Sequence, residues 1–134
     1  MGFATDNYGA NIYTGSGSQT LTVSYNAAGA AVGFLPNVSV ASANSPTTID
    51  TIDTTQYRSA KYVIQVTNGA NYQVMEALVI SNGTTATITT YGTLATGGNL
   101  GVLSATQSGS NALVQFIAAN ATNNVRISKN YLAI

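Results

Sequence analysis

Eight residues carry all the formal charge of this 134-residue chain: Asp6, Asp50, Asp53, Glu76, Arg58, Lys61, Arg126 and Lys129. There is no His, no Cys and no Trp. Without imidazole or thiol, the usual general bases, activated nucleophiles and soft-metal ligands are missing. Carboxylate chemistry remains to be weighed. A glycosidase needs two carboxyl groups about 5–10 Å apart, and four acids scattered over the chain are a poor source of such a pair. The residues therefore predict no catalytic residue, no bound cofactor and no metal ion.

Individual motifs lead to the same place. Asp50-x-x-Asp53 invites a calcium reading, but a calcium loop gathers about six oxygens from several close carboxylates, and Thr51, Ile52, Thr54 and Thr55 fill the gaps here. The pair reads as a solvated loop before a strand. Gly97-Gly98-Asn99-Leu100-Gly101 lacks the lysine and the helix of a phosphate loop and reads as a turn. Three Asn-x-Ser/Thr sequons, at Asn37, Asn82 and Asn120, carry no weight where Asn and Thr crowd every loop and Met1-Gly2-Phe3-Ala4-Thr5 lacks the basic start of a secretory signal.

Net charge is zero, so the electrostatic attraction behind nucleic-acid and anionic-membrane binding is absent. No apolar run is long enough for a membrane-spanning helix. Near-zero charge also means that nothing repels neighbouring copies. Charge depletion is what interface cores show, which predicts a homo-oligomer.

The elements that position these residues are strands. Thr, Val, Ile and Tyr abound between Gly and Asn punctuation, and no convincing helix is present; the alanine run at 27–33 contains two glycines and no polar face. Residues 1–19 are turn-rich and poor in large aliphatics, and read as an N-terminal arm. Residues 20–134 then form a single β-sandwich domain. A strand is expected at about 20–25, an extended piece at 32–40 and a loop from Ala41 to Thr48.

From residue 57 on, six strand-like runs follow: Tyr57–Thr67, Tyr72–Ser81, Thr84–Tyr91, Leu100–Thr106, Asn111–Ala119 and Val125–Leu132. Asn68-Gly69 and Asn82-Gly83 separate the first three, and Asn-Gly is a strong hairpin signal. With two-residue loops at both, Val79 faces Ala86 and Lys61 faces Glu76. Tyr62, Ile64 and Val66 then share a face with Met75, Ala77 and Val79, while Lys61, Val63, Gln65, Glu76, Thr87 and Thr89 take the other. The 111–119 strand is apolar on both faces, so Leu113, Gln115 and Ile117 are candidate intermolecular contacts. Tyr8 and Tyr13 in the arm are further candidate anchors. The fold class expected is all-β: an antiparallel sandwich, jelly-roll-like or meander, with an extended arm.

The segment Thr55 to Thr67 resembles a motif in virion structural proteins of tailed phages, especially those of marine bacteria and cyanobacteria. The resemblance continues through Tyr72 to Ile80, Thr89-Thr90-Tyr91-Gly92, Leu100-Gly101, Ala112 to Phe116 and Val125-Arg126-Ile127, covering roughly 50–134. It implies a β-sandwich module, no enzymatic activity, a virion location, and the major capsid protein or other virion proteins as partners. A single module with a short arm suits a capsid decoration (cement) protein, with a trimer matching quasi-threefold positions on a shell. The alternative is a tail-fibre, collar or baseplate module that binds a host-surface glycan or another tail protein.

Overall fold

The computed structural model describes residues 2–5, 11–14 and 32–134. Ten strands run in chain order: β1 (Gly2–Thr5), β2 (Asn11–Thr14), β3 (Val32–Val40), β4 (Pro46–Asp53), β5 (Tyr57–Asn68), β6 (Asn71–Ser81), β7 (Ala86–Ala95), β8 (Gly101–Ser108), β9 (Asn111–Ala118) and β10 (Asn123–Ala133). The class is all-β, and two antiparallel sheets form a sandwich. The larger has the order β3-β10-β5-β6-β7 and the smaller β4-β9-β8. β1 and β2 pair with each other as a separate hairpin within the predicted arm. The strand expected at 20–25 lies outside the described residues.

Period-two alternation builds the core. Ala60, Tyr62, Ile64 and Val66 of β5, Met75, Ala77 and Val79 of β6, and Val125 and Ile127 of β10 point inward from the larger sheet. Ala112, Val114, Phe116 and Ala118 meet them from β9. All of these except Ala77 belong to one contiguous cluster, whose burial is the main favourable term in folding.

The connectivity is not a plain meander. After β3 the chain crosses to the smaller sheet for β4 and returns for β5, β6 and β7. It crosses again for β8 and β9, and β10 finally inserts between β3 and β5.

Both hairpins differ from the predicted register by two residues. Asn68 pairs with Asn71, so Gly69-Ala70 forms the first loop and Lys61 faces Leu78 rather than Glu76. Glu76 faces Val63, yet Lys61 reaches it diagonally at 3.7 Å on the exposed face. In the second hairpin Ser81 pairs with Ala86 and Val79 with Ile88, leaving a four-residue loop from Asn82 to Thr85. The Asn82 side chain drives this: its Oδ1 accepts from the amides of Thr84 (2.8 Å) and Thr85 (2.7 Å). A shift of two keeps every side chain on its predicted face.

Candidate functional site: a buried polar cluster and two outer sheet faces

β4 overturns the reading of 41–48 as a loop running into a solvated Asp50-x-x-Asp53. Only Ala41–Ser45 is irregular, and Asp50 is buried. The cause is a β-bulge. Thr48 pairs with Gln115 and Asp50 with Val114, so Ile49 is the extra residue. A bulge re-aims the side chains that follow it, and both Ile49 and Asp50 face the interior. Asp53 stays at the strand end, where Thr55 donates to it through its amide (2.9 Å) and hydroxyl (2.6 Å). Those two bonds hold its carboxyl below the usual aspartate range.

Asp50 meets Lys129 between the sheets. β10 alternates Val125, Ile127, Lys129 and Tyr131 inward. Lys129 pairs with Tyr62 on one side and with Gly33 on the other. Its Nζ lies 3.4 Å from Asp50 Oδ1, with the two side chains 0% and 5% exposed. The Tyr62 hydroxyl donates to Asp50 Oδ2 at 2.8 Å, and the Tyr131 hydroxyl donates to the same oxygen. Lys129 Nζ also donates to the Tyr131 oxygen (3.2 Å) and sits 4.7 Å from that ring's centroid. Burial first, and the Asp50 carboxylate second, push both tyrosine hydroxyls far above the ordinary tyrosine value. Both therefore remain neutral donors at any physiological pH. Every charge in this cluster is paired and hydrogen-bonded, as burial demands.

Sequence reasoning missed this cluster, although the signal was present. Lys129 shares parity with Val125 and Ile127, and a lysine on an apolar face requires a counter-charge. Among the described residues no group of three or more acids, histidines or cysteines could hold a metal ion.

The outer faces are the second feature. On the larger sheet Leu78, Ile80 and Leu132 are 49%, 61% and 62% exposed. With Ser59, Thr87 and the stem of Lys61 they line an open groove of about 670 Å³. At the other end of that face Gln65, Tyr72, Val74, Leu94 and Thr96 line a smaller hollow of about 220 Å³. On the smaller sheet Leu113, Gln115 and Ile117 form an outward, half-buried stripe flanked by Thr51, Thr48 and Pro46 of β4 and by Thr106, Ser104 and Val102 of β8. Ser104 Oγ donates to Gln115 Oε1 at 3.5 Å. Tyr8 lies outside the described residues, and Tyr13 falls on β2. The structure thus brings Leu113, Gln115 and Ile117 together on one face of β9.

No protein-family model matches the chain. No curated protein matches it either. Among solved structures it is similar to the tailspike protein of Acinetobacter phage vB_ApiP_P1, with 20% identity and a TM-score of 0.46. The likeness covers 91% of this chain and 25% of the tailspike, so the chain spans about a quarter of that protein's length.

Proposed function

We propose that this chain is a non-enzymatic structural module of a tailed-phage virion, held on the particle by protein–protein contacts. The observation that carries the reading is the distribution of polarity. The acid and base that could have served chemistry are sealed between the sheets, whereas the outer face presents Leu78, Ile80 and Leu132 to solvent. Exposed apolar patches of this kind mark protein contact surfaces. The sequence resemblance over 50–134 supplies the virion context, and the sandwich it implied is the fold found. In this reading the protein decorates the capsid as a homo-oligomer, with the major capsid protein as its other partner.

The hollow around Tyr72 favours a second reading, a tail module that binds a host-surface glycan. Tyr72 is 48% exposed beside Gln65 and Thr96, and an aromatic face next to amide and hydroxyl groups suits a sugar ring. Locating the protein in a particle reconstruction tests both. A shell-wide lattice of copies supports decoration, and a few copies at the neck or tail, with glycan-array binding lost in Tyr72→Ala, support the second reading. Absence from purified particles refutes the virion role.

A further inference from the structure

The Asp50–Lys129 pair does more than neutralise itself. A lysine ammonium and an aspartate carboxylate in contact differ from an amide by one water. We propose that Lys129 Nζ condenses with the Asp50 carboxyl to form an intramolecular isopeptide bond, tying β10 of the larger sheet to β4 of the smaller.

Three features of the geometry support the reaction. The nucleophile is in place: Nζ sits 3.4 Å from Oδ1, one bond from the carboxyl carbon it must attack, and holding reactants in contact removes much of the entropic barrier. The site is dry, with Lys129 and Asp50 at 2% and 8% exposure. An oxyanion site exists as well. The Tyr62 and Tyr131 hydroxyls both donate to Oδ2, the oxygen turned away from the contact with Nζ. Fixed donors aimed at the oxygen where charge develops stabilise a tetrahedral adduct.

The atoms balance without any outside reagent. One ammonium proton passes to Oδ1, giving a primary amine and a carboxylic acid. The amine lone pair adds to Cγ, and the electrons of the C=O bond move onto Oδ2 under the two tyrosine donors. A second nitrogen proton passes to Oδ1, which leaves as water while the Oδ2 electrons re-form the carbonyl. The third proton remains as the amide N–H. Water is expelled from an apolar core, where the reverse reaction would have to create two buried charges.

Intact-mass spectrometry of the purified, folded protein tests this directly. The expected mass is one water below the value the sequence requires. Trypsin should leave the Lys129–Asn130 bond uncut and yield a branched peptide joining residues 1–58 to 127–134. Asp50→Asn should reach the same final mass as the cross-linked wild type, by losing ammonia instead. Lys129→Met should show no loss. Tyr62→Phe removes one oxyanion donor and should slow conversion about 100-fold in a protein whose circular dichroism is unchanged. Wild-type protein that keeps its full sequence mass after prolonged native incubation, with 1–58 and 127–129 recovered as separate peptides, overturns the proposal whatever the variants do.

Discussion

In protein whose Asp50 and Lys129 are still an ion pair, alkaline unfolding should report the buried cluster, because its two tyrosines hold their protons long after the unfolded chain has released its own. Tyr62 and Tyr131 are buried and both hydroxyls are shifted upward, by desolvation first and by Asp50 next. An unfolded tyrosine titrates near about 10. Below that pH both states carry the proton and stability does not depend on these groups. Above it the unfolded state binds fewer protons than the folded one, so stability falls as pH rises. The slope is about 1.4 kcal/mol per pH unit for each tyrosine. Two units above the unfolded value, the pair together remove roughly 5 kcal/mol. A domain of ordinary stability holds about 5–15 kcal/mol, so this loss takes a large share of it.

The assay is a series of urea unfolding curves between pH 8 and about 12, with tyrosinate absorbance followed in parallel. The midpoint should stay level up to pH 10 and then drop steeply, with ionisation of the buried pair appearing only as the protein unfolds. Tyr62→Phe should halve the slope above pH 10. It should also lower stability at neutral pH by about 1.5–3 kcal/mol, the worth of a hydrogen bond to a charged group. A midpoint level through pH 12, or a Tyr62→Phe variant with the full wild-type slope, would refute the reasoning.

Three further outcomes are expected. Gly101→Ala should cost about 3–4 kcal/mol in urea unfolding, because the new Cβ would lie 2.5 Å from the Ile117 carbonyl oxygen and press on the buried Phe116 ring at φ +156°; Gly98→Ala, at φ +87° with open space around it, should cost only about 1 kcal/mol. Gln73→Leu should cost about 2–4 kcal/mol, since buried Gln73 accepts from the Leu100 amide (2.6 Å) and donates to the Gly101 carbonyl (3.0 Å), and the leucine satisfies neither. Leu78→Asp combined with Ile80→Asp should leave the urea midpoint within about 0.5 kcal/mol of wild type while abolishing self-association in light scattering; a variant that still assembles would remove this face from the interface.

The larger sheet was legible because alternation survives errors of register. Placing Asn68-Gly69 and Asn82-Gly83 at the centre of both hairpins was wrong by two residues each time, since Asn68 closes the first ladder and Asn82 caps a longer loop. An even error leaves Tyr62, Ile64 and Val66 facing Met75, Ala77 and Val79. β4 was illegible for the complementary reason. Its bulge at Ile49 breaks the period, so Pro46 to Asp53 shows no clean alternation. Lys129 stood on a readable apolar face in β10, but its partner Asp50 lay in the strand that could not be read. The cluster therefore emerged only with the fold, whereas the outward stripe of Leu113, Gln115 and Ile117 followed from parity alone.

The allocation of charge connects the fold to assembly. Asp50 and Lys129 neutralise each other out of contact with water. Lys61 and Glu76 pair on the outer face of the larger sheet, and Asp53 is occupied by its own turn through Thr55 and Gln56. Arg58 packs its guanidinium under Gly83, with Nη1 buried. Among the described residues this leaves Arg126 as the exposed charge with no ion pair. Soluble surfaces usually rely on many interspersed charges to keep copies apart. Here the charges of the described residues are arranged so that little long-range repulsion survives. Two sheet faces carrying Leu78, Ile80, Leu113 and Ile117 can then approach other protein surfaces with little electrostatic cost, Arg126 on the larger sheet being the one unpaired exposed charge among the described residues.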